Sequence, residues 1–167
     1  AAEGVHVTGD GRIDVRRATV SMGSAEYCAF MASSAQGVRM SDSTLVGTWC
    51  SYLTTDVRAA GVVATEVSLR QSADVHLERL TTRRVTVDGG AGIVLRGLDA
   101  GDVHVSGPIT TQVDPIVVLD GTLGASASVV ASDTRVPLVV DGVAAERVTA
   151  TRHGGVTIAG GAIGHDA

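Results

Sequence analysis

Short triplets in which two apolar residues flank a third of any kind recur along nearly the whole chain. VHV at 5–7, IDV at 13–15, VSM at 20–22, VRM at 38–40 and VRA at 57–59 open the series. It continues through VSL at 67–69, VHL at 75–77, VTV at 85–87, IVL at 93–95 and VHV at 103–105 to VTI at 156–158. Alternation with period two is the signature of a strand, and Val, Ile and Thr suit a pleated, half-buried surface. From Val67 the starts fall at 67, 75, 85, 93 and 103, so the steps are 8, 10, 8 and 10 and two strands complete a period of 18. The same step links Val20 to Val38, Val57 to Val75 and Leu138 to Val156, and a step of 19 links Val38 to Val57 and Val129 to Val148. Asp88-Gly89-Gly90, Gly97-Leu98-Asp99, Ser106-Gly107 and Asp141-Gly142 supply turns between them.

A self-similar period near 20 residues, built from very short strands and Gly/Asp corners, predicts a solenoid. Hairpin turns and longer strands would mark a β-sandwich. A leucine-rich repeat would show its Leu/Asn consensus, and a left-handed hexapeptide helix would step by six. The expectation is therefore one all-β domain over 1–167, a single-stranded parallel β-helix, right-handed, with about 18–22 residues per coil. In this pattern the chain resembles the right-handed parallel β-helix proteins, the pectate-lyase-like group and the bactofilin-like filament formers among them. No family-specific motif accompanies the pattern, so the resemblance assigns no residue a role.

Composition sharpens this picture. Hydrophobic residues make up 44% of the chain, yet aromatics are only 2%, so the core must be assembled from many small repeated layers. All 13 basic residues are Arg, and the net charge of −5 argues against a nucleic-acid partner. No apolar run approaches the roughly 18–20 residues that cross a bilayer, so no membrane-spanning segment is expected. The opening AAEGVHV has neither an initiator Met nor a signal-like stretch, which suits a mature chain after cleavage or a domain of something longer.

Both cysteines and all four aromatics sit in two matching tetrapeptides, YCAF at 27–30 and WCSY at 49–52. Placed one coil apart, they would set Cys28 over Cys50, Tyr27 over Trp49 and Phe30 over Tyr52. A Cys28–Cys50 disulfide, a ladder of buried free thiols, and a metal-binding or nucleophilic role are the three readings of the cysteines. The first implies an oxidising compartment, hence a secreted or cell-surface protein; free thiols would imply the cytoplasm. Alternation turns Tyr27 and Phe30 to opposite sides of a strand, so one stacked pair points outward. Tyr27, Trp49 and Tyr52 are thus candidate stacking residues for a sugar ring. The stretch 24–37 carries a competing helical signal, with Ser24 as N-cap, an Ala-rich interior and Gly37 at the end.

The middle residue of each triplet faces outward, and stacking makes columns of them. One column reads Ser21, Arg39, Arg58, His76 and Val94; another reads Ser68, Thr86 and His104. Arg39, Arg58 and His76 on consecutive rungs either form a solvated face, with Asp56, Asp74 and Glu78 interleaved, or grip an anionic polymer. For catalysis, Asp42, Asp56, Asp74 and Asp88 with Arg58 are the available acids and base of a polysaccharide lyase or glycosidase. Asp is common at turns for other reasons, and no P-loop, G-x-S-x-G or H-E-x-x-H is present. The first expectation is a non-catalytic module that binds a glycan or another protein, with no cofactor or metal. A small carbohydrate-active enzyme on the same scaffold is the alternative, and a self-assembling structural protein the second. Neither end offers a long amphipathic cap, so end-to-end self-association or an adjoining domain is expected to cover the terminal rungs.

Overall fold

The computed structural model describes residues 4–21, 28–106, 116–123, 128–132, 138–151 and 155–163, and all regular structure among them is β-strand. The strands stack in parallel as a β-solenoid. The stretch from Cys28 to Ser41 is strand, so the helical signal over 24–37 loses to tertiary pairing wherever it is described.

Each coil has three faces rather than two. On the first face the ladder runs Val5, Phe30, Trp49, Val67, Val85, Val103, Val129 and Val148. On the second it runs Asp14, Arg39, Arg58, His76, Val94, Val117, Val139 and Thr157. A third, shorter face stacks Thr19, Thr44, Val63, Thr81, Asp99, Thr122, Ala144 and Ala162. The ten-residue step of the sequence pattern conceals that third face. Its strands are two or three residues long around one inward side chain, too short to register as alternation. Leu98, read as part of a turn, is buried where the chain bends into it.

The corner between the second and third faces is the most regular feature of the molecule. Arg17, Asp42, Gly61, Arg79, Gly97, Asp120, Gly142 and Gly160 occupy it in successive coils, and all have φ between 47° and 66°. One left-handed residue bends the chain while its amide continues the ladder, as Asp42 N–H donates to the Ala60 carbonyl and Gly61 N–H to that of Glu78. The third-face strand follows at a fixed distance, from Met40 to Thr44, Ala59 to Val63 and Leu77 to Thr81. Length variation enters elsewhere. Val67 to Val85 and Val85 to Val103 are each 18 residues, but Val5 to Phe30 is 25 and Val103 to Val129 is 26.

The core is a column of inward Val, Leu, Ile and Ala, with Phe30 and Trp49 stacked in its early coils. Their rings meet edge to face, centroids 6.0 Å apart. Trp49 Nε1–H donates to Ser51 Oγ at 3.2 Å, which satisfies the one polar group of the indole. Thr54 Oγ1 donates to Ser72 Oγ at 2.9 Å, and among the described residues no buried side-chain polar atom lacks a partner.

The aromatic pairing differs from the expectation. The ladder matches Phe30 with Trp49 and Ser33 with Tyr52, because Ala29 bulges out of register and shortens the offset. Ala29 and Phe30 are therefore both buried, which breaks the assumed alternation. The cysteines do form a disulfide, Cys28–Cys50, with Cα atoms 5.7 Å apart. It is diagonal, since Cys28 faces Thr48 and Cys50 faces Met31 in the ladder.

Candidate functional site

Two grooved surfaces carry the polar side chains singled out by the sequence. The first is the outer side of the second face. Arg39, Arg58 and His76 do stack on consecutive rungs, but Asp14 heads their column in place of Ser21. Ser21 pairs with Val46 on the third face, so the 18-residue step from Val20 to Val38 joins two different faces.

The turn that precedes each second-face strand places an aspartate beside the arginine of the coil before. Asp56 and Asp74 hold left-handed conformations there, with φ of 53° and 51°. Arg39 Nη1 donates to the Asp56 carbonyl at 2.6 Å and Nη2 to its Oδ2 at 2.7 Å. Arg58 repeats this one coil on, with 2.6 Å to the Asp74 carbonyl and 2.9 Å to each carboxylate oxygen. Arg58 Nη2 also lies 3.5 Å from Asp56 Oδ1, and His76 Nε2 lies 3.3 Å from Asp74 Oδ1. The result is a continuous Arg39–Asp56–Arg58–Asp74–His76 zipper.

This zipper cancels the charge that an anionic polymer would seek. A shallow groove of about 380 Å³ beside it is lined by Arg12, Arg16, Arg39 and Arg58 together with Asp14 and Glu78. With Asp56 and Asp74 added, four guanidiniums meet four carboxylates. The hydrogen bond from Arg39 holds the Asp56 carboxyl below its ordinary value of 3.8, with the charges of Arg39 and Arg58 adding to it against desolvation. Asp14 is lowered likewise, first by its hydrogen bond from Arg16. A carboxyl that ionises more readily when folded stabilises the fold above its unfolded pKa, and that contribution is lost as pH falls through the folded value. Acid unfolding should therefore steepen below about pH 4, and Asp56→Asn should flatten that limb in a urea titration followed across pH. An identical acid limb in the variant would assign the pH dependence to other groups.

The proposed acids of a catalytic cluster do not share one place. Asp42 sits at the corner after the second face, Asp56 and Asp74 at the turn before it, and Asp88 on the rung beyond Arg70 at the end of the first face. Among the described residues no three metal-ligating side chains gather into a cation site.

The second surface is a groove of about 620 Å³ on the outer side of the first face. Cys28, Met31 and Cys50 form its sulfur-rich floor, with the hydroxyls of Ser33, Ser68 and Thr86 around them. Tyr52 stands at its edge, 45% exposed, and Arg70 follows one rung on in the same row. Glu66 lines the groove too, but its carboxylate is bound by Arg83. Arg70 makes no ion pair among the described residues, although Asp88 is its neighbour on the next rung. Ser68, Thr86 and His104 do form the expected outward column here.

Of the aromatic candidates, Tyr52 is outward, whereas Trp49 is 0% exposed and belongs to the core. Its position follows from the shortened register, which aims it inward against Phe30. Tyr27 lies outside the described residues. Sequence reasoning missed Arg70, yet the signal was there: it stands 18 residues after Tyr52, one period on. No family model, curated protein or solved structure matches the chain.

Proposed function

We propose that the chain is a non-catalytic β-solenoid binding module that holds a glycan in the groove on its first face. The observation that carries this reading is the pairing of exposed Tyr52 with unpaired Arg70 on adjacent rungs, above a floor lined with hydroxyls. An aromatic ring stacks on the apolar face of a sugar, while a guanidinium and hydroxyls bond its oxygens. The rigid ladder beneath fixes both side chains, so little ordering is needed on binding. The zipper on the second face is then a structural device that locks adjacent coils. Its acids whose ionisation is altered, Asp14 and Asp56, are shifted downward, opposite to what a general acid at neutral pH needs. The disulfide supports an oxidising location, secreted or at a cell surface.

Titration against a panel of neutral and acidic oligosaccharides tests the proposal. Tyr52→Ala is expected to weaken the best ligand at least about tenfold, or roughly 1.4 kcal/mol, with no product released from any substrate. Unchanged affinity in that variant would remove the site, and product release would move the protein to the lyase or glycosidase class.

A second reading is favoured by the last coil. Ile158 is 49% exposed, whereas Val140, in the same column one rung back, is 1% exposed. Stacking by a further coil, from a second copy or an adjoining domain, would cover it and would make the solenoid an assembly unit.

A further inference from the structure

The disulfide in the first-face groove is a reactive group that glycan binding leaves unused. Cys28 and Cys50 both line the groove and are half-buried rather than enclosed. Cys28 is the first residue of its strand, and the ladder beside it is irregular: it faces Thr48, Ala29 is bulged, and regular pairing resumes at Phe30 with Trp49. The start of this strand is thus joined to the next coil by one covalent bond across a broken stretch of ladder. The unpaired Arg70 guanidinium in the same groove favours a thiolate over a thiol.

We propose that Cys28–Cys50 is a redox switch for the groove, opened by a dithiol reductant. Its chemistry stands alone, and only its effect on ligand rests on the binding reading. One reductant thiolate attacks a cysteine sulfur, forms a mixed disulfide and expels the other cysteine as a thiolate, which takes up a proton. The second reductant thiol, losing its proton, then displaces the remaining cysteine. One protein disulfide and one dithiol become two protein thiols and one oxidised dithiol, so two electrons and two protons pass to the protein. Opening the bond frees the beginning of the Cys28–Ser41 strand and the groove wall it forms. Phe30, Trp49 and the ladder from there onward keep the coil stacked.

The test treats native protein with dithiothreitol, alkylates it, and follows amide hydrogen exchange. Both cysteines should alkylate without denaturant. Protection over residues 28–33 should fall at least tenfold, while that over 67–87 stays unchanged. The Cys28→Ser/Cys50→Ser double variant should show the opened pattern without reductant and no response to it. A disulfide that resists dithiothreitol in native protein, or reduction without loss of protection, overturns the switch. Binding of the best panel oligosaccharide, measured in parallel, should weaken at least tenfold on reduction. Unchanged affinity with a freed strand overturns the link to the groove, whereas no binding in the oxidised protein overturns the glycan reading alone.

Discussion

Trp49→Ala is expected to destabilise the protein by about 3–5 kcal/mol, the range for emptying a buried aromatic site. In a core of Val, Leu and Ala the indole is the largest fully buried side chain, and Phe30 packs edge-on against it. A parallel ladder holds the surrounding backbone on both sides, so the walls have little freedom to close on the cavity. The substitution also removes the donor to Ser51, itself buried, and leaves that hydroxyl with one bond fewer. Urea unfolding of the two proteins measures the difference. A loss under about 1 kcal/mol would mean that the early coils repack around the gap, and that the aromatic pair is not what organises them.

Gly90→Ala is expected to cost about 4 kcal/mol or more, enough to unfold a marginal domain. Gly90 has φ of 132°, a conformation closed to residues with a side chain, and a Cβ there would lie 2.1 Å from the Ser72 carbonyl oxygen. That oxygen is backbone in the adjoining coil, and Ser72 is fixed by the Thr54 hydroxyl and its own bond to the Arg70 carbonyl. Neither partner can yield without breaking the ladder. Gly11 is the control: a Cβ built there meets nothing within 4 Å, so Gly11→Ala should change stability by no more than about 0.5 kcal/mol. Equal effects at the two positions would show that loss of glycine entropy, not backbone contact, governs both.

The period was legible because a solenoid writes its geometry into spacing. Val67, Val85 and Val103 are neighbours in space since each coil returns to the same point after 18 residues. Where coils differ in length the arithmetic misleads. The step from Val20 to Val38 joins different faces, and the assumed offset from Cys28 to Cys50 hid the Phe30–Trp49 pair. The disulfide was still anticipated, because a diagonal partner lies within reach when strands are one rung apart. The charge cancellation on the second face was only partly legible. Asp56 and Asp74 were placed near Arg39 and Arg58, but their left-handed turns, which aim each carboxylate at the preceding coil, have no sequence mark apart from Asp itself. Arg70 escaped notice because its row depends on Tyr52 facing outward, which only the register decides.

The constancy of the corner between the second and third faces makes length a quantised property of this protein. Since Glu66 and Arg84 occupy equivalent positions on adjacent rungs, excising residues 67–84 would bring Trp49 directly over Val85 and keep all three faces in phase. The molecule would shorten by one strand spacing, about 4.8 Å, with its cross-section unchanged. Duplicating the same segment would lengthen it by as much. The chain is in this sense a ruler with divisions of one coil, and selection can set the separation between whatever it holds at its two ends without redesigning its core.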